Sequence, residues 1–389
     1  MALFDIESTV SRSSQRFFLG PYGATLSECK EIQIAGDSAF SQKPNMTDST
    51  TRVSGSPEKG GKCPAGPMPP GTGNIPINMR VPNVGVDPPE HELMLSLLGS
   101  YENATDVTYA PDTNTGKFTV FESVDHEIFR YDGVVVTKGK ITVKSSCEVG
   151  VDFEVEYSSS AHFPTVTLTG TATATEVVVA AGERQRLFNI DNTGSQGFLF
   201  KMQKDDETWD DNAGAGYPLS AYDEATGTVT SADMPLENFV RLAPFVPATI
   251  PKTWETSTGA QGLPLTFTVN STAVKVTTME VTVTAGNAYE TTEHTVTGWP
   301  ESVVRGDLWT EVAVSGLARA VTLETLKRAL EGEKSTATIT MGEITLDFPL
   351  GQEHEYERGG SGPSQPYSFK YAPEPATPCT SIAIIYNRP

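Results

Sequence analysis

Residues 151–157, VDFEVEY, admit few conformations. Val151, Phe153, Val155 and Tyr157 alternate with Asp152, Glu154 and Glu156. An extended chain puts the four apolar side chains on one face and the three carboxylates on the other. The apolar face must pack against something. The acidic face carries like charges in a row, which repel one another on a sheet, so it is either simply the solvated face or one kept for a use. This strand closes a longer β-rich run, 125–157. Within that run Asp132-Gly133 reads as a two-residue hairpin signal, Gly139 as a break, and Val149-Gly150 as the opening of the last strand.

The rest of the composition agrees with a β protein. The chain has 389 residues, enough for two domains or one large one, and only 38% of them are hydrophobic. Thr and Gly are abundant and helix-favouring stretches few, which suits an all-β fold with extended loops. The formal net charge is −21. A surface that wraps nucleic acid needs Lys and Arg, so that role is disfavoured. An acidic surface can still meet DNA where the task is not to hold it. Cys29, Cys63, Cys147 and Cys379 form no Cys-x-x-Cys pair, and no zinc site is expected. The start of the chain lacks the basic and apolar segments of a secretory leader, so free thiols in a reducing cytoplasm are expected. No apolar run approaches the ~18 residues of a membrane span.

Along the chain, residues 37–75 read as a long polar loop, of the kind a neighbouring subunit orders. A helix is expected after Asp87-Pro88-Pro89, with Asp87 as its cap, an apolar stripe of Leu93, Met94, Leu97 and Leu98, and Gly99 as its stop. Residues 165–252 read as an inserted β-rich region that contains a hairpin pairing 186–191 with 197–202. A C-terminal part follows over 253–389. It contains strands at 265–269, 273–283 and 293–297, a second short helix at 322–331, a hairpin around Gly342, a charged loop at 353–362, and a final strand, 381–386. That last strand is apolar on both faces and so should be central or at an interface.

Signatures of catalysis are near misses. His91-Glu92, His126-Glu127 and His354-Glu355 lack the second histidine of a metalloprotease pair. Asp205, Asp206, Glu207, Asp210 and Asp211 crowd one loop, but their spacing is not that of a calcium-binding hand. No catalytic, metal-ligating or cofactor-binding residue is assigned, and the chain is not expected to be an enzyme.

Four passages share a pattern with a known family. They are PPEHELMLSLLGSYE within 83–102, VTYAP at 107–111, the run 125–158 with Asp132-Gly133 and Lys138-Gly139-Lys140, and VTTMEVTVTAGNAY at 276–289. The strand 381–386 stands where the family closes its sheet. On these passages, over roughly 10–160 and 262–389, the chain resembles the major tail tube proteins of long-tailed, non-contractile bacteriophages.

The resemblance implies a tail-tube-type β-sandwich or barrel split into 1–164 and 253–389, with 165–252 as a possible outward decoration. It implies self-assembly into rings, six copies or three if the chain carries two tube folds, stacked into a conduit for the phage genome. Tape measure, tail terminator and tail initiator proteins would be partners, and double-stranded DNA would pass without binding. The place would be the virion tail, assembled in the host cytoplasm, with no membrane involved. On this reading Asp152, Glu154 and Glu156 line the channel. Ser54, Lys62 and Pro67 of the long loop, with Ile382 and Ile384 of the final strand, contact the neighbouring subunit. Two other readings compete. One is a glycan-binding or adhesin module using Trp209, Trp299 and Trp309, and the other a hydrolase using Asp210 and Asp211.

Overall fold

The computed structural model describes residues 15–43, 46–48, 62–64, 68–144, 148–190, 197–232, 234–291, 299–317, 327–358 and 366–388. The protein is all-β: its strands pair antiparallel and, among the described residues, close no barrel. The chain divides into two units. One contains residues up to Ile32, Phe118–Val134 and Ser159–Lys252; the other contains Gln33–Lys117, Val135–Ser158 and Thr253–Pro389. The inserted region read from sequence therefore does not stand by itself. The chain's first described strand, Arg16–Pro21, and the hairpin that follows Lys117 pack with it.

The first unit has two sheets. In one, Lys30–Ile32, Arg16–Pro21, Phe118–Val124, the start of Glu127–Lys144 and Ser159–Pro164 lie side by side. In the other, Leu199–Lys204 and Phe239–Pro244 pair centrally, and Val166–Thr169 continues the order. Phe18, Phe121, Phe163, Phe198 and Phe200 share one core, with the Phe163 and Phe198 rings 5.5 Å apart. The hairpin expected from 186–191 is not formed. Arg184–Arg186 is a 3-10 turn instead, and Leu199–Lys204 takes Trp209–Asp210, Tyr217–Pro218 and Phe239–Pro244 as its partners.

The second unit carries the acidic strand. From one edge the order runs Ala39–Ser41, Gly71–Asn78, Gly150–Tyr157, residues 135–144, Thr278–Thr284, Trp309–Leu317, Pro366–Pro373 and Ile344–Arg358. The last of these changes layers. Its residues 344–348 sit between Lys334–Met341 and Ala383–Tyr386, while Gly351 onward runs beside Pro366–Pro373. The change falls at Pro349-Leu350, where two residues stand opposite Thr336 alone. A bulge bends a strand and tolerates a proline that cannot donate to the ladder. Rings from the two layers meet inside, with Phe267 and Phe369 6.0 Å apart, which makes this unit a sandwich.

Several turn signals serve other ends than the sequence implied. Asp132-Gly133 is not a hairpin. It lies within the 18-residue strand Glu127–Lys144, as a bulge opposite Thr119 with Gly133 at φ 64°. The hairpin turn is Asp125-His126, with Asp125 at φ 49°. A bulge and a tight turn both ask for a residue at positive φ, so the same dipeptide suits either. Gly139 does not break the strand. A Cβ there would come within 2.7 Å of Leu97 Cδ2, so glycine admits the helix above it.

That helix is His91–Leu98, with Glu90 rather than Asp87 at its N-cap position and no side-chain bond capping it. Asp87 instead accepts from the Tyr101 hydroxyl and from Asn103 Nδ2. Gly99 ends the helix at φ 100° as expected, and Arg305 donates to the carbonyls of Leu97 and Leu98. The strand expected over 273–283 is two, Thr272–Val274 and Thr278–Thr284. The loop expected at 353–362 is strand as far as Arg358, with a bulge at Glu355. Residues 293–297 and the first part of the helix 322–331 lie outside the described residues; 327–331 is helical. From there Arg328 reaches Glu353 by two bonds, Nε to Oε2 at 3.1 Å and Nη2 to Oε1 at 3.2 Å. Their side chains are 12% and 0% exposed.

Candidate functional surface

The alternation in Gly150–Tyr157 decides which side chains reach the outer face of this sheet. Val151, Phe153, Val155 and Tyr157 are buried, Asp152 and Glu154 exposed, and Glu156 half-buried. The register then brings neighbours to each carboxylate. Asp152 stands beside Pro76 and Lys140, and Glu154 beside Asn74 and Lys138. Glu156 lies beside Thr72 and accepts the Tyr289 N–H at 3.3 Å. Burial pushes the Glu156 carboxyl up, and that N–H partly offsets the shift.

The same parity continues across the sheet and exposes a lysine-acid pattern that the single strand does not show. Lys138 Nζ bonds Glu154 at 2.8 Å. Lys140 Nζ bonds Glu280 at 2.9 Å. Lys370 Nζ lies 2.9 Å from Glu355 and 3.3 Å from Glu311. Its bonds to Glu355 and then Glu311 hold the Lys370 ammonium up, and Lys370 in turn draws the Glu355 carboxyl down. Six carboxylates thus share the face with three lysines whose side chains are described, and each of those lysines is held by an acid. Exposed pairs of this kind add little stability. Their effect is on the field: none of these three ammonium groups is left to grip a phosphate, and the surplus among the described side chains is negative.

Lys138 and Lys140 were legible as partners, since a two-residue spacing sends both to one side of a strand. Glu280, Glu311 and Lys370 come from strands distant in sequence, and only the register brings them in. Two shallow cavities flank the acidic strand. One, of about 280 Å³, is lined by Asp37, Asn74 and Asp152; the other, of about 360 Å³, by Asn74, Glu154 and Glu156.

Ser54 and Pro67 lie outside the described residues. Lys62 opens the short strand Lys62–Pro64, paired with Met46–Asp48. Ile382 and Ile384 are 1% and 0% exposed. The strand Ala383–Tyr386 is enclosed by Ile344–Arg358 on one side and Val107–Pro111 on the other. It is central within its own chain, and those two side chains have no area left to offer a neighbour.

The competing readings find their residues otherwise employed. Asp210 Oδ1 accepts from the Asn212 N–H and the Tyr217 hydroxyl, and Asp211 Oδ1 from the Gly214 N–H. Asp206 Oδ1 accepts from the amide and hydroxyl of Thr208. These carboxylates shape turns. Among the described residues no three His, Cys, Asp or Glu side chains come together as metal ligands. Trp209 is in the first unit, with the Lys201 ammonium 4.5 Å from its ring centre. Trp309 is in the second, 54% exposed at one end of the acidic face. No protein-family model matches the sequence, and no curated protein matches it significantly.

Proposed function

We propose that this protein is a structural subunit that assembles with copies of itself into a tube, the tail tube of a long-tailed bacteriophage, and that the outer face of its acidic sheet lines the bore. The observation that carries the reading is the charge pattern of that face: a surplus of carboxylates, with each described lysine neutralised. Double-stranded DNA binds protein when lysine and arginine neutralise its phosphates and set its condensed counterions free into solvent. A wall with none to spare repels the polyanion and lets it slide. A contact repeated with rotation closes a ring, and one repeated with rise builds a stack. On this reading the rings hold six copies, or three if both units act as tube folds. Tape measure, initiator and terminator proteins meet the ends.

Electron microscopy of the purified chain at high concentration tests the assembly and should show rings or tubes. Persistence as monomer, with no polymer even on a tail initiator, overturns it. The lining is tested separately by the triple variant Asp152→Lys, Glu154→Lys, Glu156→Lys. Tubes of this variant are expected to retain DNA at low salt and release it as salt rises. Each new phosphate contact should steepen the slope of log affinity against log salt by about 0.9. Tubes that form and pass DNA as before remove those three residues from the bore without touching the assembly.

A further inference from the structure

The lead-in to the His91–Leu98 helix encloses a carboxyl group without a bonded cation. Glu90 is 0% exposed. Its Oε1 accepts from the Tyr386 hydroxyl at 2.8 Å and from the Arg80 backbone N–H at 3.2 Å. Its Oε2 has no hydrogen-bond partner. The Arg80 guanidinium is spent on Ser257, at Oγ and at the carbonyl oxygen, both at 2.9 Å. All but one of the other titratable groups around it are phenols or carboxyls. They are Tyr386 on the Ala383–Tyr386 strand, Tyr109 on Val107–Pro111, Tyr101 on Gly99–Asn103, and Asp87, His91 and Glu92 beside Glu90 in the chain. Among them His91 Nδ1 is hydrogen-bonded to the Tyr109 hydroxyl at 2.8 Å.

An enclosed carboxylate with one oxygen unbonded is costly, whereas the protonated acid is not. Burial accordingly pushes the Glu90 carboxyl up to about 7, against the smaller opposing pull of the Tyr386 hydroxyl and Arg80. Tyr386 is the last residue of the enclosed strand, and the chain just beyond it is fastened a second time. Arg388 Nη2 donates to the Val86 carbonyl and Nη1 to Asn103 Oδ1, both at 2.8 Å. The Arg388 N–H donates to Asp106 Oδ1 at 3.2 Å.

We propose that Glu90 is a proton-binding site and that Glu90 and Tyr386 form a proton-operated latch on the Ala383–Tyr386 strand. With the proton bound, the acid and the phenol share a neutral, closed contact. When it leaves, an anion is shut in beside Asp87, Glu92 and two further phenols, and the Tyr386 hydroxyl and the Arg80 N–H offset only part of that cost. The sign follows from the direction of the shift. A carboxyl group whose folded pKa lies above its unfolded one favours the closed state fully below the unfolded value, and that contribution is lost as pH rises through the folded one. The latch therefore closes in acid and loosens between about pH 4.5 and pH 7.

Hydrogen exchange read by mass spectrometry tests this, with wild type and Glu90→Gln compared at the same pH so that intrinsic exchange cancels. The amide keeps an oxygen for Tyr386 and the Arg80 N–H and does not ionise. At about pH 9, peptides over 383–388 should exchange at least about tenfold faster in wild type than in the variant, and at about pH 5 the two should coincide. Equal rates at both pH values overturn the proposal. A difference spread evenly over Gly71–Asn78 and Leu265–Val269 overturns it as well, because the strand is then not the element that moves. Tyr386→Phe supplies an independent reading. It removes a donor that favours the anion, so the midpoint of loosening should move to higher pH, and an unmoved midpoint breaks the pairing. None of these outcomes depends on whether the chain forms tubes.

Discussion

Replacing Arg328 with methionine is expected to cost the second unit about 3–5 kcal/mol at neutral pH. Methionine keeps much of the volume of the arginine stem, so the loss isolates the charge. Glu353 is fully enclosed, and both its oxygens are bonded to Arg328. Without that partner the carboxylate is buried alone. Burial already outweighs the arginine and pushes the Glu353 carboxyl up in the intact protein; removing Arg328 pushes it further. The penalty of the variant should therefore shrink as pH falls through that raised value and grow as pH rises. Adding Glu353→Leu removes the stranded charge and should restore most of the loss, since an apolar pair of similar size often matches a buried ion pair. Urea unfolding of the two single variants and the double variant closes the cycle. A single-variant cost below about 1 kcal/mol would show that the pair is solvated in practice.

Phe153→Ala should cost about 3–5 kcal/mol. Phe153 is 0% exposed on the acidic strand and sits over Gly139, where a Cβ would lie 3.5 Å from its ring. Removing the ring leaves a void walled by strands on both sides, and paired strands cannot collapse into it without breaking register. Measurement is cleanest in a Trp209→Phe background. The remaining tryptophans, Trp254, Trp299 and Trp309, then all belong to the unit that contains Phe153. The urea midpoint should fall with an unchanged slope. An unchanged midpoint would mean that the ring is not part of the packed interior.

Much of the β content was legible because it is local. The alternation of Val151 to Tyr157, the hairpin around Gly342 and the helix stop at Gly99 each follow from a few neighbouring residues, and the structure has all three. What was not legible depends on partners distant in sequence. Asp132-Gly133 carries the signal of a positive-φ pair, but whether that pair turns the chain back or bulges it depends on the opposing strand, which supplies Thr119. Gly139 is explained only by Leu97, more than forty residues earlier. The three carboxylates of the acidic strand were readable, but the lysine-acid pairing that defines their face was not, since Glu280, Glu311 and Lys370 reach it through register alone. Ile384 was read correctly as belonging to a strand apolar on both sides, whereas Ile382 lies just before that strand. That pattern does not distinguish an enclosed strand from one covered by a second molecule.

The layer change of the Ile344–Arg358 strand at Pro349-Leu350 has a consequence for how this unit comes apart. One continuous backbone is stitched into both halves of the sandwich, so neither half can peel off whole while the other survives. Denaturant should meet an all-or-none barrier there, without a half-melted species displaying raw strand borders. At any high local concentration, scarcity of such sticky fragments protects a chain against disordered clumping.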